Sequence, residues 1–213
     1  MTNEKRLESL FGCCMSVIQR GLTGSFVECG VYKGGSSMMM AYTLQHQKKE
    51  TPLILFDTFA GMTEPEDRDV KISRGYTYHE KWKECQKDGY TDWCYGSLDE
   101  VKKNLKKTNY RNVSYVVGDV GKTIKSRVLI DLGFLDKISI LRIDVDFYKP
   151  TKHVMEHLFP MVEKGGFVIF DDYYCWEGTR DAVNEYFREA GFNKREIAKI
   201  DQSCGIYRMG GLG

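Results

Sequence analysis

Along this chain, short continuous apolar runs alternate with stretches in which apolar residues recur at helical spacing. The runs are Ser25-Phe-Val-Glu-Cys29, Leu53-Ile-Leu-Phe56, Val113-Ser-Tyr-Val-Val117, Ile138-Ser-Ile-Leu-Arg-Ile143 and Gly166-Phe-Val-Ile-Phe170. Runs of this length bounded by polar or glycine positions read as buried strands. Helical spacing predicts a helix over about 4–20, with Leu7, Leu10, Phe11, Cys14 and Ile18 on one face, and another from the glycine turn Gly30 to Gly35 through about Gln47. Further helices are expected at about 98–107, 121–131, 150–163 and 179–190. In the 150–163 helix Val154, Leu158, Met161 and Val162 repeat, and Gly165-Gly166 ends it. Two closing strands, about 195–200 and 204–209, flank the turn Asp201-Gln-Ser203. Strands alternating with helices predict an α/β fold, a doubly wound, mostly parallel sheet with helices on both faces. The C-terminal hairpin makes one strand antiparallel and brings the sheet to seven strands. Residues 58–97 break the rhythm, being polar and aromatic with Tyr76, Tyr78, Trp82, Tyr90, Trp93 and Tyr95. An excursion of that length inside a domain is usually functional, and a lid is expected.

A length of 213 residues is expected to form one domain, and is also compatible with one domain of a longer enzyme. A net charge of +1 gives no sign of a nucleic-acid or anionic-membrane surface. The seven cysteines are scattered without a CxxC pair, the first thirty residues lack a secretory apolar core, and no segment approaches a transmembrane length. A reducing, cytoplasmic setting is expected, with most thiols packed as small hydrophobes. Homo-oligomerisation is left open.

The candidate chemistry sits at the strand ends. Glu28, Asp57, Asp119, Asp144, Asp146, Asp171 and Asp172 all close or directly follow an apolar run. In doubly wound sheets ligands bind beyond the carboxyl ends of the strands, near the point where strand order reverses. Two parallel neighbours would set Asp144 and Asp146 beside Asp171 and Asp172, and like charges so close need a cation or proton. A hard divalent ion such as Mg²⁺ meets that need. One Asp of the pair could instead cap the next helix, but a cap needs only one. Glu28-Cys-Gly-Val-Tyr-Lys-Gly-Gly-Ser36 is neither G-x-G-x-x-G nor a P-loop, so a pyrophosphate cradle is not supported. Glu28 would repel phosphate and attract an ammonium, while Asp57 is placed to bind ribose hydroxyls. A nucleoside bearing a positive charge fits, and S-adenosylmethionine is one. His153 and His157 share a helix face but have no third zinc ligand and read as solvated.

Together FVECGVYKGGSS, LILFDTFAGM, the GDV at 118–120, LRIDVDFYKPT and GGFVIFDDYY resemble the macrocin O-methyltransferase (TylF-like) family from about residue 24 to GIYR at 205–208. The resemblance implies a Rossmann-like class I methyltransferase fold and an S-adenosylmethionine- and Mg²⁺-dependent enzyme (Mn²⁺ is the other candidate ion) that methylates a sugar or glycan hydroxyl, a deoxyhexose such as rhamnose among them. It implies metal ligands Asp144, Asp171 and Asp172, and Asp146 as general base. The cofactor contacts it implies are Glu28, Gly30, Tyr32, Ser36, Asp57, Thr58, Asp119, Val120 and Asp144. A more distant likeness to catechol and caffeoyl-CoA O-methyltransferases carries the same metal logic. The chain departs from the family at Cys175-Trp-Glu-Gly-Thr179, where a Cys-Pro-Gly-like segment is common, so the acceptor pocket there is not carried over.

Physically, a sugar hydroxyl is a poor nucleophile near neutral pH, and a cation that lowers its pKa together with a carboxylate that takes its proton would answer this. Other classes also remain. Asp144-x-Asp146 could bind Mn²⁺ and a nucleotide sugar in a glycosyltransferase, and the chain could be a catalytically silent binding module. An NAD-dependent dehydrogenase is weakened by the missing pyrophosphate turn.

Overall fold

The computed structural model describes residues 2–71, 76–124 and 137–210. The chain begins with α1 (Glu4–Gln19), β1 (Ser25–Cys29), α2 (Gly35–His46) and β2 (Leu53–Asp57). Two small hairpins follow, β3 (Val70–Lys71) with β4 (Tyr76–Thr77) and β5 (Gln86–Lys87) with β6 (Tyr90–Thr91), separated by α3 (His79–Glu84). Next come α4 (Leu98–Lys106), β7 (Val113–Val117), α5 (Val120–Thr123) and β8 (Ile138–Ile143). The chain closes with α6 (Tyr148–His157), β9 (Val162–Phe170), α7 (Glu177–Ala190), β10 (Ala198–Lys199) and β11 (Gly205–Arg208).

Seven strands form one sheet in the order β10-β11-β9-β8-β1-β2-β7. All neighbours are parallel except those of β11, which runs antiparallel to both β9 and β10. The chain starts at the centre, moves out through β2 to β7, then returns to the other side of β1 with β8. The reversal therefore lies between β1 and β8. Successive strand residues feed opposite faces. Val27, Ile54, Phe56, Leu141, Ile143 and Val168 pack with α6 and α7, whereas Phe26, Leu53, Leu55, Ile140 and Ile169 pack with α1, α2 and α4.

Three expectations shift. The buried face of α1 is Leu10, Cys13, Cys14 and Val17, and Phe11 is 45% exposed, so the face is rotated from the one the apolar spacing suggested. The helix expected to reach residue 163 stops at His157, because Pro160 enters a 3₁₀ turn, Phe159–Met161, and the strand starts at Val162. Gly165-Gly166 therefore lies inside β9, where the β8 pairing jumps from Ile138↔Val162 to Ile140↔Phe167. Of the helix expected at 121–131, α5 supplies the first turn; residues 125–131 fall outside the described residues. The first closing strand shortens to Ala198–Lys199, since Lys194–Glu196 forms a 3₁₀ turn.

Candidate active site

Strand register gathers the carboxylates. Cys29 pairs with Ile143 and Ile143 with Phe170, so Gly30, Asp144 and Asp171 emerge side by side. The ladder continues past the strand ends: the Asp144 amide donates to Cys29 O at 2.8 Å, and the Asp171 amide to Ile143 O at 3.0 Å. Gly30 has φ +87°, and a Cβ there would collide with the Asp144 carbonyl. Its missing side chain thus serves the approach of β8 rather than only that of a ligand.

A cavity of about 830 Å³ opens over this row. Gly30, Tyr32, Ser36, Asp57, Thr58, Asp119, Val120, Asp144, Asp146, Asp171 and Asp172 all line it. Asp57 already accepts the Val31 amide at 2.6 Å and the Tyr32 amide at 3.1 Å through Oδ2, and the Phe59 amide at 2.7 Å through Oδ1. It pins the glycine turn to the end of β2. Asp119 caps α5 by accepting the Gly121 amide at 2.8 Å.

Glu28 is the exception. It is 1% exposed and does not line the cavity, because its carboxylate is engaged by the Ser37 hydroxyl and by Arg142 Nη1 at 2.9 Å. It lies beneath the cavity floor, held by Ser37 and Arg142, with Arg142 between it and the carboxylate row. Burial pushes its pKa up to about 7, against the pull of Arg142 and Ser37.

Arg142, not singled out from sequence, is the centre of the cluster. Besides Glu28, it donates from Nη1 to Asp144 Oδ2 at 2.7 Å and from Nη2 to Asp171 Oδ1 at 2.5 Å. Burial opposes its charge, but Asp144, Asp171 and Glu28 outweigh that and hold it firmly protonated. Arg6 of α1 adds a second guanidinium, donating to Asp171 Oδ2 at 2.6 Å and to Asp201 Oδ2 at 2.7 Å. The signal for Arg142 was present: a lone charge inside an all-buried strand needs partners. Arg6 gave no local signal, because its partners lie 165 and 195 residues away.

Around these two guanidinium groups lie six carboxylates: Glu28, Asp144, Asp146, Asp171, Asp172 and Asp201. Burial and the neighbouring Asp171 raise the pKa of Asp144; burial and Asp172 raise that of Asp146 well above the usual carboxylate range. Burial, Asp144 and Asp171 push Asp172 up to about 7. One carboxylate oxygen from each of Asp144, Asp171 and Asp172 lies within 4.8 Å of the others. Hard oxygen donors, close together and short of positive charge, suit a hard divalent cation.

Trp93 and Trp176 add two aromatic faces to the wall, backed by the buried Tyr78 and Phe147. Tyr78 and Trp93 from the 58–97 segment meet Phe147 and Trp176, with Tyr78–Trp176 centroids 4.6 Å apart and Trp93–Phe147 centroids 6.1 Å apart. Lys81 Nζ lies 4.5 Å from the Trp93 ring centre. Phe147 follows Asp146 directly, so this cluster abuts the carboxylates.

Known proteins share this plan. A family model for macrocin-O-methyltransferase (TylF) matches residues 1–209. The 8-demethyl-8-(2,3-dimethoxy-alpha-L-rhamnosyl)-tetracenomycin-C 4'-O-methyltransferase of Streptomyces olivaceus is 29% identical over 211 residues, 98% of this chain and 74% of that protein. The mycinamicin III 3''-O-methyltransferase of Micromonospora griseorubida is 29% identical over 210 residues, 97% of this chain and 76% of that protein. The structure of the O-methyltransferase NovP superposes with a TM-score of 0.80 at 26% identity, covering 96% of this chain and 79% of that one. The match removes the glycosyltransferase and dehydrogenase alternatives. The chain belongs to the macrocin O-methyltransferase (TylF) family, the S-adenosylmethionine-dependent O-methyltransferases.

Proposed function

We propose that this protein methylates a hydroxyl of a sugar-bearing acceptor with the help of Mg²⁺ or Mn²⁺. The observation that carries this reading is the convergence of Asp144, Asp171 and Asp172 within 4.8 Å, on the floor of the cavity that Gly30, Asp57 and Asp119 also line. When bound, S-adenosylmethionine supplies an electrophilic methyl group, and the divalent ion lowers the pKa of the hydroxyl that receives it.

Asp144, Asp171 and Asp172 would hold the ion, with Arg142 and Arg6 fixing the orientation of Asp144 and Asp171. Gly30, Tyr32, Ser36, Asp57, Thr58, Asp119, Val120 and Asp144 would hold the cofactor, Asp57 at the ribose and Asp119 near the adenine. Asp146 would take the proton of the acceptor hydroxyl at its carboxylate, a role that typically gains roughly 10²–10⁴-fold. Trp93 and Trp176, backed by Tyr78 and Phe147, would exclude water and offer ring faces to the apolar side of a sugar. The segment 58–97 then acts as the cover of the acceptor end, within one catalytic domain.

The sugar assignment draws on the rhamnosyl acceptor named for the Streptomyces olivaceus relative. A deoxyhexose on a larger molecule is the first acceptor to test. Nucleic acid is not an expected partner at a net charge of +1. Among the described residues no helix is long and apolar enough to cross a membrane, and all seven cysteines are free, which suits a reducing compartment such as the cytoplasm.

The test is transfer of labelled methyl from S-adenosylmethionine to a panel of rhamnosides and other glycosides, with and without Mg²⁺. Label on an acceptor only when the ion is supplied supports the reading. Equal transfer in excess chelator would remove the ion from it, and transfer confined to acceptors without a sugar would remove the sugar.

A further inference from the structure

Asp69 lies in the 58–97 excursion, is completely buried, and takes no part in the chemistry described above. Its Oδ2 accepts the Glu66 amide at 2.8 Å, which closes its own turn. Its Oδ1 accepts the amide of Tyr148 at 2.7 Å. Tyr148 is the first residue of α6, and α6 has no cap of its own, because its N-cap residue is Phe147 and makes no side-chain cap. Helix N-termini leave amides unsatisfied and favour negative charge. Here the capping carboxylate comes from a segment 79 residues earlier.

The surroundings are built around that contact. A Cβ at Gly178 would collide with Asp69 Oδ1 and stand 3.0 Å from the Tyr148 nitrogen, so the first turn of α7 needs glycine there. The Arg68 guanidinium lies 3.7 Å from the centre of the Tyr148 ring, Lys149 pairs with Glu66, and the Tyr148 hydroxyl donates to Glu185 at 2.5 Å. Immediately before α6, Asp146 holds a left-handed backbone, φ 58°, and its carbonyl accepts Thr179 Oγ1 at 2.5 Å.

We propose that Asp69 is a positioning residue: by capping α6 from the excursion, it makes the placement of the aromatic cover and the placement of Asp146 a single event. This rests on Asp146 as the proton acceptor. The carboxylate reaches the start of α6 only if the 58–97 segment is seated, and α6 holds the end of the loop that carries Asp144 and Asp146. An acceptor that seats the segment thereby sets the base.

Three variants test this: Asp69→Ala, Asp69→Asn and Gly178→Ala, the last displacing the carboxylate without removing it. Hydrogen exchange should show lost protection at the Tyr148 amide and the first turn of α6, with β8 and β9 unchanged. Per folded molecule, counted by S-adenosylhomocysteine titration, kcat of Asp69→Ala and Gly178→Ala should fall about ten- to hundredfold, as expected for a misplaced reacting group. Affinity for S-adenosylhomocysteine should stay within about twofold. Asp69→Asn keeps an oxygen that can accept the Tyr148 amide and should recover part of the rate. Wild-type kcat in both Asp69→Ala and Gly178→Ala would overturn the proposal, as would unchanged exchange at Tyr148. Asp146→Asn, run alongside, separates the two ideas. If it is fully active while the capping variants are slow, the base assignment fails and the positioning proposal, which rests on it, is overturned with it; if it is slow while they are not, only the positioning proposal fails.

Discussion

Arg142 and Asp171 form an ion pair at 2.5 Å with both side chains only 5% exposed. It sits where two parallel strands end, and the same guanidinium reaches Glu28 and Asp144. Arg142→Met would leave the buried Glu28 and Asp171 and the partly exposed Asp144 short of their shared counter-charge. Breaking a buried pair in this way costs about 3–5 kcal/mol. Urea denaturation should show that loss, with part of it recovered on adding Mn²⁺. Arg142→Lys should also lose stability, since an ammonium cannot reproduce the forked geometry.

The two members of the Asp pair should behave differently. Asp171 accepts from both arginines, so Asp171→Asn should lower folding stability as well as ion affinity. Asp172 has neither arginine contact, and Asp172→Asn should weaken Mn²⁺ binding, measured by calorimetry, with a melting temperature close to that of the unsubstituted protein. A matching loss of melting temperature in both would give the arginines no part in the difference.

For the proposed proton acceptor, Asp146→Asn is a mild structural change, because asparagine tolerates the left-handed backbone seen there. The expected result is a kcat lower by about 10²-fold or more, with S-adenosylhomocysteine affinity unchanged. Full rescue by saturating Mg²⁺ would make Asp146 a partner of the ion instead.

Asp57→Ala removes a carboxylate that ties down the Val31 and Tyr32 amides as well as the proposed ribose contact. Losing charge-assisted hydrogen bonds costs roughly 1.5–3 kcal/mol, or about a tenfold to hundredfold rise in the Kd for S-adenosylhomocysteine. Calorimetry reads it directly, and an unchanged Kd would put the ribose elsewhere.

Most of the sheet could be read from sequence because a strand buried on both faces has to be largely apolar, as Leu53 to Phe56 and, apart from Ser139 and Arg142, Ile138 to Ile143 are. The strand-end acids stood out for the same reason, as abrupt changes of polarity. Arg142 was the residue passed over. A lone charge inside an apolar run needs partners, and this one supplies much of the charge that a row of acids had seemed to demand from an ion alone. The α1 face was misjudged because Phe11 was placed on it: Cys13 and Val17 turn inward while Phe11 faces solvent. Asp69 as a cap for α6 and Arg6 as a partner of Asp171 depend on contacts between distant segments, which no local spacing encodes.

Acid sensitivity should show at the far side of the site. Although partly desolvated, Asp201 is held well below the usual carboxylate range by Arg6 and by the Cys204, Ser203 and Asn3 donors. A depressed folded pKa gives stability that is complete above the unfolded value, about 3.9, and is lost as pH falls below it. Denaturation midpoints should therefore drop between about pH 4 and pH 2. Arg6→Met should be less stable at neutral pH and show a shallower drop.

Arg6 meets Asp171 across 165 residues and Asp201 across 195. During synthesis the first helix leaves the ribosome long before either partner exists, and non-local contacts of this span form late. A nascent chain halted between Asp172 and Asp201 already carries every acid of the centre, yet lacks the anchor that fixes Arg6. The carboxylate cluster is thus less neutralised until Asp201 has been made and can hold Arg6 in place.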